Sequence, residues 1–281
     1  MDWLGDTIIN LWDFTFSCWD WCMDTIQTVL TQSPVSIGGG TAWSAVSSIY
    51  RGILGTGYAL LTLFFFVGIF KTVGSLTDLK RPEVSVRALV RLVLCKLLLD
   101  NGLNIVLYFI RIGQGLVSVV FGSISMESTL PTLPEAIETA IRGSTFLSKL
   151  VLLIFTIAAM CVIAVMALTI IMSVYGRFFK IYVTGALSPL ALSTFAGEPT
   201  AHMGAHYLKA FAGACLEGVV IAIACCLYGA FVQVIPPIQV AEDMGVFVEL
   251  SVYILTVVLH TMILSGLIKS ADWLMQKYLG L

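Results

Sequence analysis

His202 and His206 are the residues whose type and spacing come nearest to a metal site. They stand four residues apart, which places both imidazoles on one face of a helix, as a zinc site requires. No glutamate follows the first histidine as in the HExxH motif, and Pro199 is expected to begin the helix, so Glu198 stands off that face. No third ligand follows from the sequence. We therefore expect ordinary histidines at a membrane interface, and predict no metal, no cofactor and no metalloprotease activity.

A set of polar residues interrupts one long apolar segment. On a helix they lie within about 80° of one another, and the first two have the i, i+4 spacing of an ion pair. Ionisable groups inside a membrane are costly and usually face a bundle interior or a water-filled path. Two interpretations remain open. The residues either have a structural role with their polar groups satisfied, or they contribute to a conduit or a subunit contact. We call these residues the polar seam: Lys96, Asp100, Asn104 and Arg111.

Glu217 is the only charge inside a later apolar segment, and we count it with the intramembrane polar residues. It lies beside a row of small residues that recur every four positions. Such a row lets helix backbones approach closely in membranes. Packing within the chain and contact with a neighbouring subunit are both compatible with this row: Ala210, Ala214, Gly218 and Ala222.

The remaining patterns do not indicate catalysis. The seven cysteines are odd in number and lie mostly in apolar runs, which is typical of small hydrophobic residues rather than of a disulfide framework. No nucleophile arrangement, Walker A loop or dinucleotide fingerprint is present. The basic run from Lys71 to Arg91 could touch phosphates, but fixing the membrane topology is its expected role. The sequence therefore predicts a protein that is not an enzyme.

The elements that position these residues are membrane spans. The chain has 281 residues, of which 58% are hydrophobic and 11% charged. Soluble domains carry roughly 25% charged residues, and a soluble chain of this size lacks the interior to bury so many apolar side chains. A soluble enzyme, a secreted disulfide domain and a disordered chain are excluded. The net charge of −2 also argues against a general nucleic-acid-binding surface.

Long apolar stretches predict an all-α, polytopic membrane protein with about five crossings, since a span needs about 20 apolar residues. A shorter piece, 181–195, is broken by Gly185 and Pro189 and is expected to be re-entrant or interfacial. Residues 1–50 are expected to form an external amphipathic helix and a Gly-rich joint, and 51–281 a transmembrane domain. The predicted crossings are 52–70, 92–121, 150–172, 210–235 and 246–268.

The amino-terminal helix has one acidic stripe of five aspartates within about 40°. Packing on its own domain, binding to a partner and lying at the membrane interface are the alternatives for this helix. The first 50 residues contain no basic residue, whereas the segment 71–91 contains five. By the positive-inside rule, the amino terminus is expected outside the cytoplasmic membrane and the carboxyl terminus in the cytoplasm.

The stretch from Arg177 to Phe211 resembles the TrbL-type subunits of conjugal DNA transfer and type IV secretion machines. The matching features are Arg177 after a long span, GALSPLALSTF from Gly185 with Pro189 inside it, a short polar loop, and a span rich in Ala and Gly. The matched motif covers about 35 residues, and the topology agrees over nearly the whole chain. The central external loop, 122–149, is shorter than in many family members, and a long carboxyl-terminal extension is missing.

The resemblance implies a membrane subunit of a conjugative type IV secretion apparatus, forming part of the translocation route for DNA and protein. It implies as partners the other machine subunits, including ATPases, together with the lipid bilayer, further copies of the chain and transient contact with the transferred DNA. The alternative is a secondary transporter or small-solute channel, because broken helices and buried charges often form transport sites. Against it, no internal repeat relates two halves of the chain.

Overall fold

A computed structural model describes residues 3–72, 82–123, 133–234 and 245–280, and this part of the chain is helical without a strand. Five of its helical segments are long and apolar enough to span a membrane: Ile37–Lys71, Gly102–Ser123, Phe146–Ala186, Ala201–Ala230 and Leu250–Tyr278. This confirms the predicted all-α, polytopic class. The helices are α1 (Trp3–Thr31), α2 (Thr41–Thr72), α3 (Pro82–Asp100), α4 (Gly102–Ser123), α5 (Glu135–Gly143), α6 (Phe146–Ala186), α7 (Ser188–Ser193), α8 (Ala201–Val234) and α9 (Gly245–Tyr278).

Each predicted crossing overlaps one of these segments, but the second has a different start. The apolar stretch assigned to 92–121 divides at Asn101 into α3, which is not among the five span-forming segments found in the described residues, and α4, which is. The polar seam is therefore divided between two helices. Parts of the loops on which the charge-based orientation rests, including Lys80, Arg81, Glu242 and Asp243, lie outside the described residues.

The chain divides into two compact units, while the division into 1–50 and 51–281 stays a prediction. Unit 1 comprises Met1–Thr31, Val117–Tyr175 and Val219–Ala271, and unit 2 comprises Gln32–Leu116, Gly176–Gly218 and Asp272–Leu281. The amino-terminal helix is therefore part of unit 1, whereas the Gly-rich joint belongs to unit 2.

Within unit 1, α1 packs its apolar face on its own chain. Ile8, Trp12 and Trp19 are buried, with the Trp12 and Tyr253 ring centroids 6.3 Å apart. The acidic stripe lies on the opposite face, where Asp13, Asp20 and Asp24 are exposed. Asp6 also pairs with Arg142 of α5 at 2.9 Å, so of the alternatives for this helix the structure favours packing on its own domain.

The Gly-rich joint forms a short turn that only glycine adopts easily. Gly38, Gly39 and Gly40 have φ values of 62°, 68° and 79°. Residues with a Cβ disfavour this left-handed region, so these three positions in the nine-residue connection between α1 and α2 favour glycine. Tyr182 supports the joint in unit 2 by donating a hydrogen bond to the Pro34 carbonyl at 2.7 Å.

The segment 181–195 was predicted to be a separate broken piece, but in the structure its first part belongs to α6. Residues 181–186 continue α6, which runs for 41 residues, and the break falls at Leu187. Pro189 causes the break because it has no N–H to donate to the Gly185 carbonyl. The Ser188 hydroxyl donates to that carbonyl instead, at 2.8 Å. Only the short helix α7 and the 3₁₀ turn Thr194–Ala196 form a separate element, which packs on α2 and α3.

Candidate functional site

Four charged side chains meet in unit 2, and we call them the charge cluster: Arg177 and Lys180 of α6, Glu217 of α8 and Asp272 of α9. Lys180 Nζ lies 3.7 Å from Glu217 Oε2 and also donates to Asp272 Oδ1. Arg177 and Glu217 are only 5% and 7% exposed. Buried charges persist when opposite charges compensate them. The cluster balances two cations with two carboxylates, so it can hold three helices together without a net buried charge.

Arg177 occupies a space that α8 leaves open for it. A Cβ at Gly218 would lie 1.1 Å from Arg177 Nη1, so the guanidinium stands where any larger residue would place its side chain. The guanidinium carbon is 4.8 Å from the centroid of the Phe178 ring, a cation–π distance. Glu217 supplies the compensating charge, while Nε is buried with no hydrogen-bond partner among the described residues. Arg177 therefore needs a glycine at position 218 to make room for its guanidinium. The spacing of the small residues did not indicate this role.

A small cavity of about 190 Å³ borders the charge cluster. Lys180 and Asp272 contribute to its wall, together with His206 and Gln276. Gln276 donates to the second carboxylate oxygen of Asp272 at 3.0 Å, which orients that carboxylate. The cavity thus presents both signs of charge and an amide to whatever enters it. The remaining wall is apolar or small: Ala210, Gly213, Ala214 and Met275.

The motif residues Gly185 and Pro189 both lie at close helix contacts. A Cβ at Gly185 would lie 3.3 Å from Val106 of α4, and a Cβ at Gly57 of α2 would lie 3.0 Å from Pro189 Cβ. Gly197 also lies at a close helix contact, since a Cβ there would lie 2.7 Å from the Phe64 carbonyl oxygen. The break after α6 is therefore held against α2 by contacts that leave no room for side chains.

The small-residue row of α8 is mostly inside the chain. Ala214, Gly218 and Ala222 are buried, whereas Ala210 is half-buried. In unit 2 the same helix approaches α4 closely, because a Cβ at Gly113 would lie 2.6 Å from the Cys215 carbonyl oxygen. Of the two interpretations of the row, these contacts favour packing within the chain.

The polar seam does not form the predicted pair. Asp100 accepts a hydrogen bond from the Tyr58 hydroxyl, and no ion pair joins it to Lys96 in the described part of the chain. The i, i+4 spacing was compatible with a pair, but the last turn of α3 offers Asp100 a tyrosine of α2 instead. All four seam residues are exposed, and Asn104 and Arg111 lie on α4 while the other two lie on α3.

The cysteines and histidines do not form a reactive centre in the described residues. All seven cysteines are free thiols. Burial raises the pKa of the Cys22 thiol to about 11 and also raises the pKa of Cys95, so both are protonated at neutral pH. His202 and His206 are exposed along an open cavity of about 710 Å³, and the described residues contain no group of three metal-ligating side chains.

Lys180 and Asp272 are the cluster members that sequence analysis missed. Lys180 follows Arg177 by three residues and thus shares its helix face. Asp272 is near the end of a span, where a lone carboxylate is normally solvated. Their partnership depends on contacts between helices that are far apart in sequence.

The fold and the cluster define the class: this is a multi-pass α-helical membrane protein in which three long helices share a charge cluster whose arginine and glutamate are buried. Comparison with family models, curated proteins and solved structures found no match to this chain.

Proposed function

We propose that this protein is a membrane subunit of a conjugative type IV secretion apparatus and forms part of the translocation route across the cytoplasmic membrane. It works without catalysis of its own, alongside ATPases and other subunits of the machine. The proposal begins from the Arg177 to Phe211 stretch that resembles TrbL-type subunits.

One observation carries the proposal. The residues on which the resemblance rests are those around which unit 2 is built: Arg177 is buried in the charge cluster, and Pro189 presses on α2 at Gly57. The arginine and the helix break of the resembling stretch thus both contribute to the packing of unit 2, which supports the proposal. The five spans supply the polytopic frame that such a subunit needs.

Deleting the gene in its host is expected to abolish DNA transfer between cells, measured as transconjugants per donor. The wild-type gene and a Gly55→Leu variant are expected to restore transfer, because Gly55 faces open space. A Gly57→Leu variant is expected to fail, because its side chain would displace Pro189 and the break. Undiminished transfer after deletion would show that the proposal is wrong.

The proposed orientation places the amino terminus outside and the carboxyl terminus in the cytoplasm. Native Cys18 is exposed on α1 and is expected to react with a membrane-impermeant maleimide in intact cells. A Gly280→Cys variant is expected to react only after permeabilisation, since the final segment follows the fifth span. Site-resolved mass spectrometry measures both thiols, and buried Cys225 serves as the unreactive control. The reverse pattern would invert the topology.

A secondary transporter or small-solute channel is the second candidate, and the cavity beside the charge cluster favours it. That cavity offers Lys180, Asp272 and Gln276 to a small polar solute next to a broken helix, an arrangement typical of transport sites. Under this candidate, gene deletion would change solute uptake and leave DNA transfer unaffected.

A further inference from the structure

The exposed side of α4 carries a charged residue, Arg111, near the middle of the span. Arg111 lies about 14 Å along the helix from Gly102 and about 18 Å from Ser123, at about 1.5 Å per residue. The hydrocarbon core is about 30 Å thick, so Arg111 is close to the middle of a span that crosses it. Its side chain is exposed, and among the described residues none of the ion pairs includes it.

Arg111 belongs to a continuous face rather than being a lone charge. Asn104, Tyr108 and Gly115 lie within about 60° of it around the helix and are also exposed. The opposite side of α4 packs within the chain, since Val106 and Ile110 are buried in the core of unit 2 with Ile181 and Phe211. The exposed face is therefore available to the surroundings of the chain.

The lipid face of the neighbouring span α6 is quite different. Ile154, Cys161, Val165 and Leu168 are exposed along one side of it, and none is charged. A bilayer tolerates this side, but a midplane arginine requires water or polar partners. The charge of Arg111 therefore distinguishes its face of α4 from the apolar side of α6, with exposed Ile112 and Val119 at the border of that face.

We propose that the face formed by Asn104, Tyr108, Arg111 and Gly115 lines a water-filled path that favours anions. The guanidinium is always charged and would attract anions where the path is narrow, as rings of arginine or lysine do in anion-conducting pores. The amide, the phenol and the open position at Gly115 keep the face wettable and leave space beside the charge. This inference goes beyond the proposed function, because it holds for any anion and needs no secretion machine.

Thiol labelling of a Gly115→Cys variant tests the inference on the full chain in membrane vesicles. The reagents are anionic methanethiosulfonate ethylsulfonate and its cationic trimethylammonium analogue, which react with the thiolate that forms in water. Mass spectrometry measures modification site by site, with native Cys161 as the internal lipid-facing reference. Position 115 has no atom within 4 Å of its Cβ, so the substitution fits the fold.

We expect the thiol at position 115 to react at least about tenfold faster than Cys161, and faster with the anionic reagent than with the cationic one. Adding Arg111→Gln is expected to remove the preference for the anionic reagent while the thiol remains reactive. Asn104→Cys repeats the measurement if the first variant does not fold. A thiol as slow as Cys161, or a fast thiol without charge preference, overturns the inference. Neither result bears on DNA transfer after gene deletion, so the two proposals fail separately.

Discussion

Replacing Glu217 by leucine is expected to lower the free energy of unfolding by about 3–5 kcal/mol, since removing one partner of a buried ion pair leaves an uncompensated charge. Glu217 is the carboxylate that faces both cations of the charge cluster, and Arg177 is buried beside it. Thermal unfolding of the purified protein in detergent and the protein level in membranes measure the loss.

The double variant Arg177→Met with Glu217→Leu is expected to recover part of that stability. It removes one cation with the carboxylate and leaves Lys180 paired with Asp272. Asp13→Leu makes the same charge change at an exposed position of α1 and is expected to have little effect. Equal stability of Glu217→Leu and wild type, or a double variant as unstable as the two single changes added together, would contradict a compensated cluster.

The second large effect is expected at the contact between α4 and α8. A Gly113→Ala change places a Cβ 2.6 Å from the Cys215 carbonyl oxygen, which belongs to the backbone and cannot rotate away. The two helices must move apart, and overpacking of this kind typically costs about 1–3 kcal/mol. Thermal unfolding in detergent is expected to show a clearly lower midpoint.

Gly115→Ala provides the matched control two residues further along the same helix. Its Cβ meets nothing within 4 Å, and alanine is favoured over glycine in a helix by about 1 kcal/mol. The control is therefore expected to be at least as stable as wild type. If Gly113→Ala and Gly115→Ala unfold at the same temperature, the close approach of α4 and α8 does not contribute to stability.

The spans could be predicted from the sequence because burial in lipid imposes length and composition on each helix separately. The apolar runs around 52–70 and 150–172 each fall within one span-forming segment, and those around 210–235 and 246–268 each overlap one. The start of α4 was missed because Leu97–Leu99 continue the apolar pattern up to Asp100, and the turn at Asn101 has no proline or glycine before it to mark the end of α3.

The candidate site could be predicted only in part. Glu217 was identified because a charge inside an apolar run is conspicuous, and Arg177 was identified only through the TrbL-type resemblance. Their partners Lys180 and Asp272 were not, since each also has an ordinary explanation as an interfacial charge. The helix spacing of Lys96 and Asp100 allowed an ion pair, yet the Asp100 carboxylate accepts a hydrogen bond from Tyr58 of another helix.

The sequence by itself determined the lipid environment, the number of spans and the break at Pro189, because hydropathy and the missing proline N–H act locally along the chain. Only the tertiary structure decided that Arg177 fills the space above Gly218, that α1 packs on its own chain, and that four charges from three helices compensate one another. These features depend on which helix faces pack together. The sequence does not determine this, because each face could pack against more than one other helix.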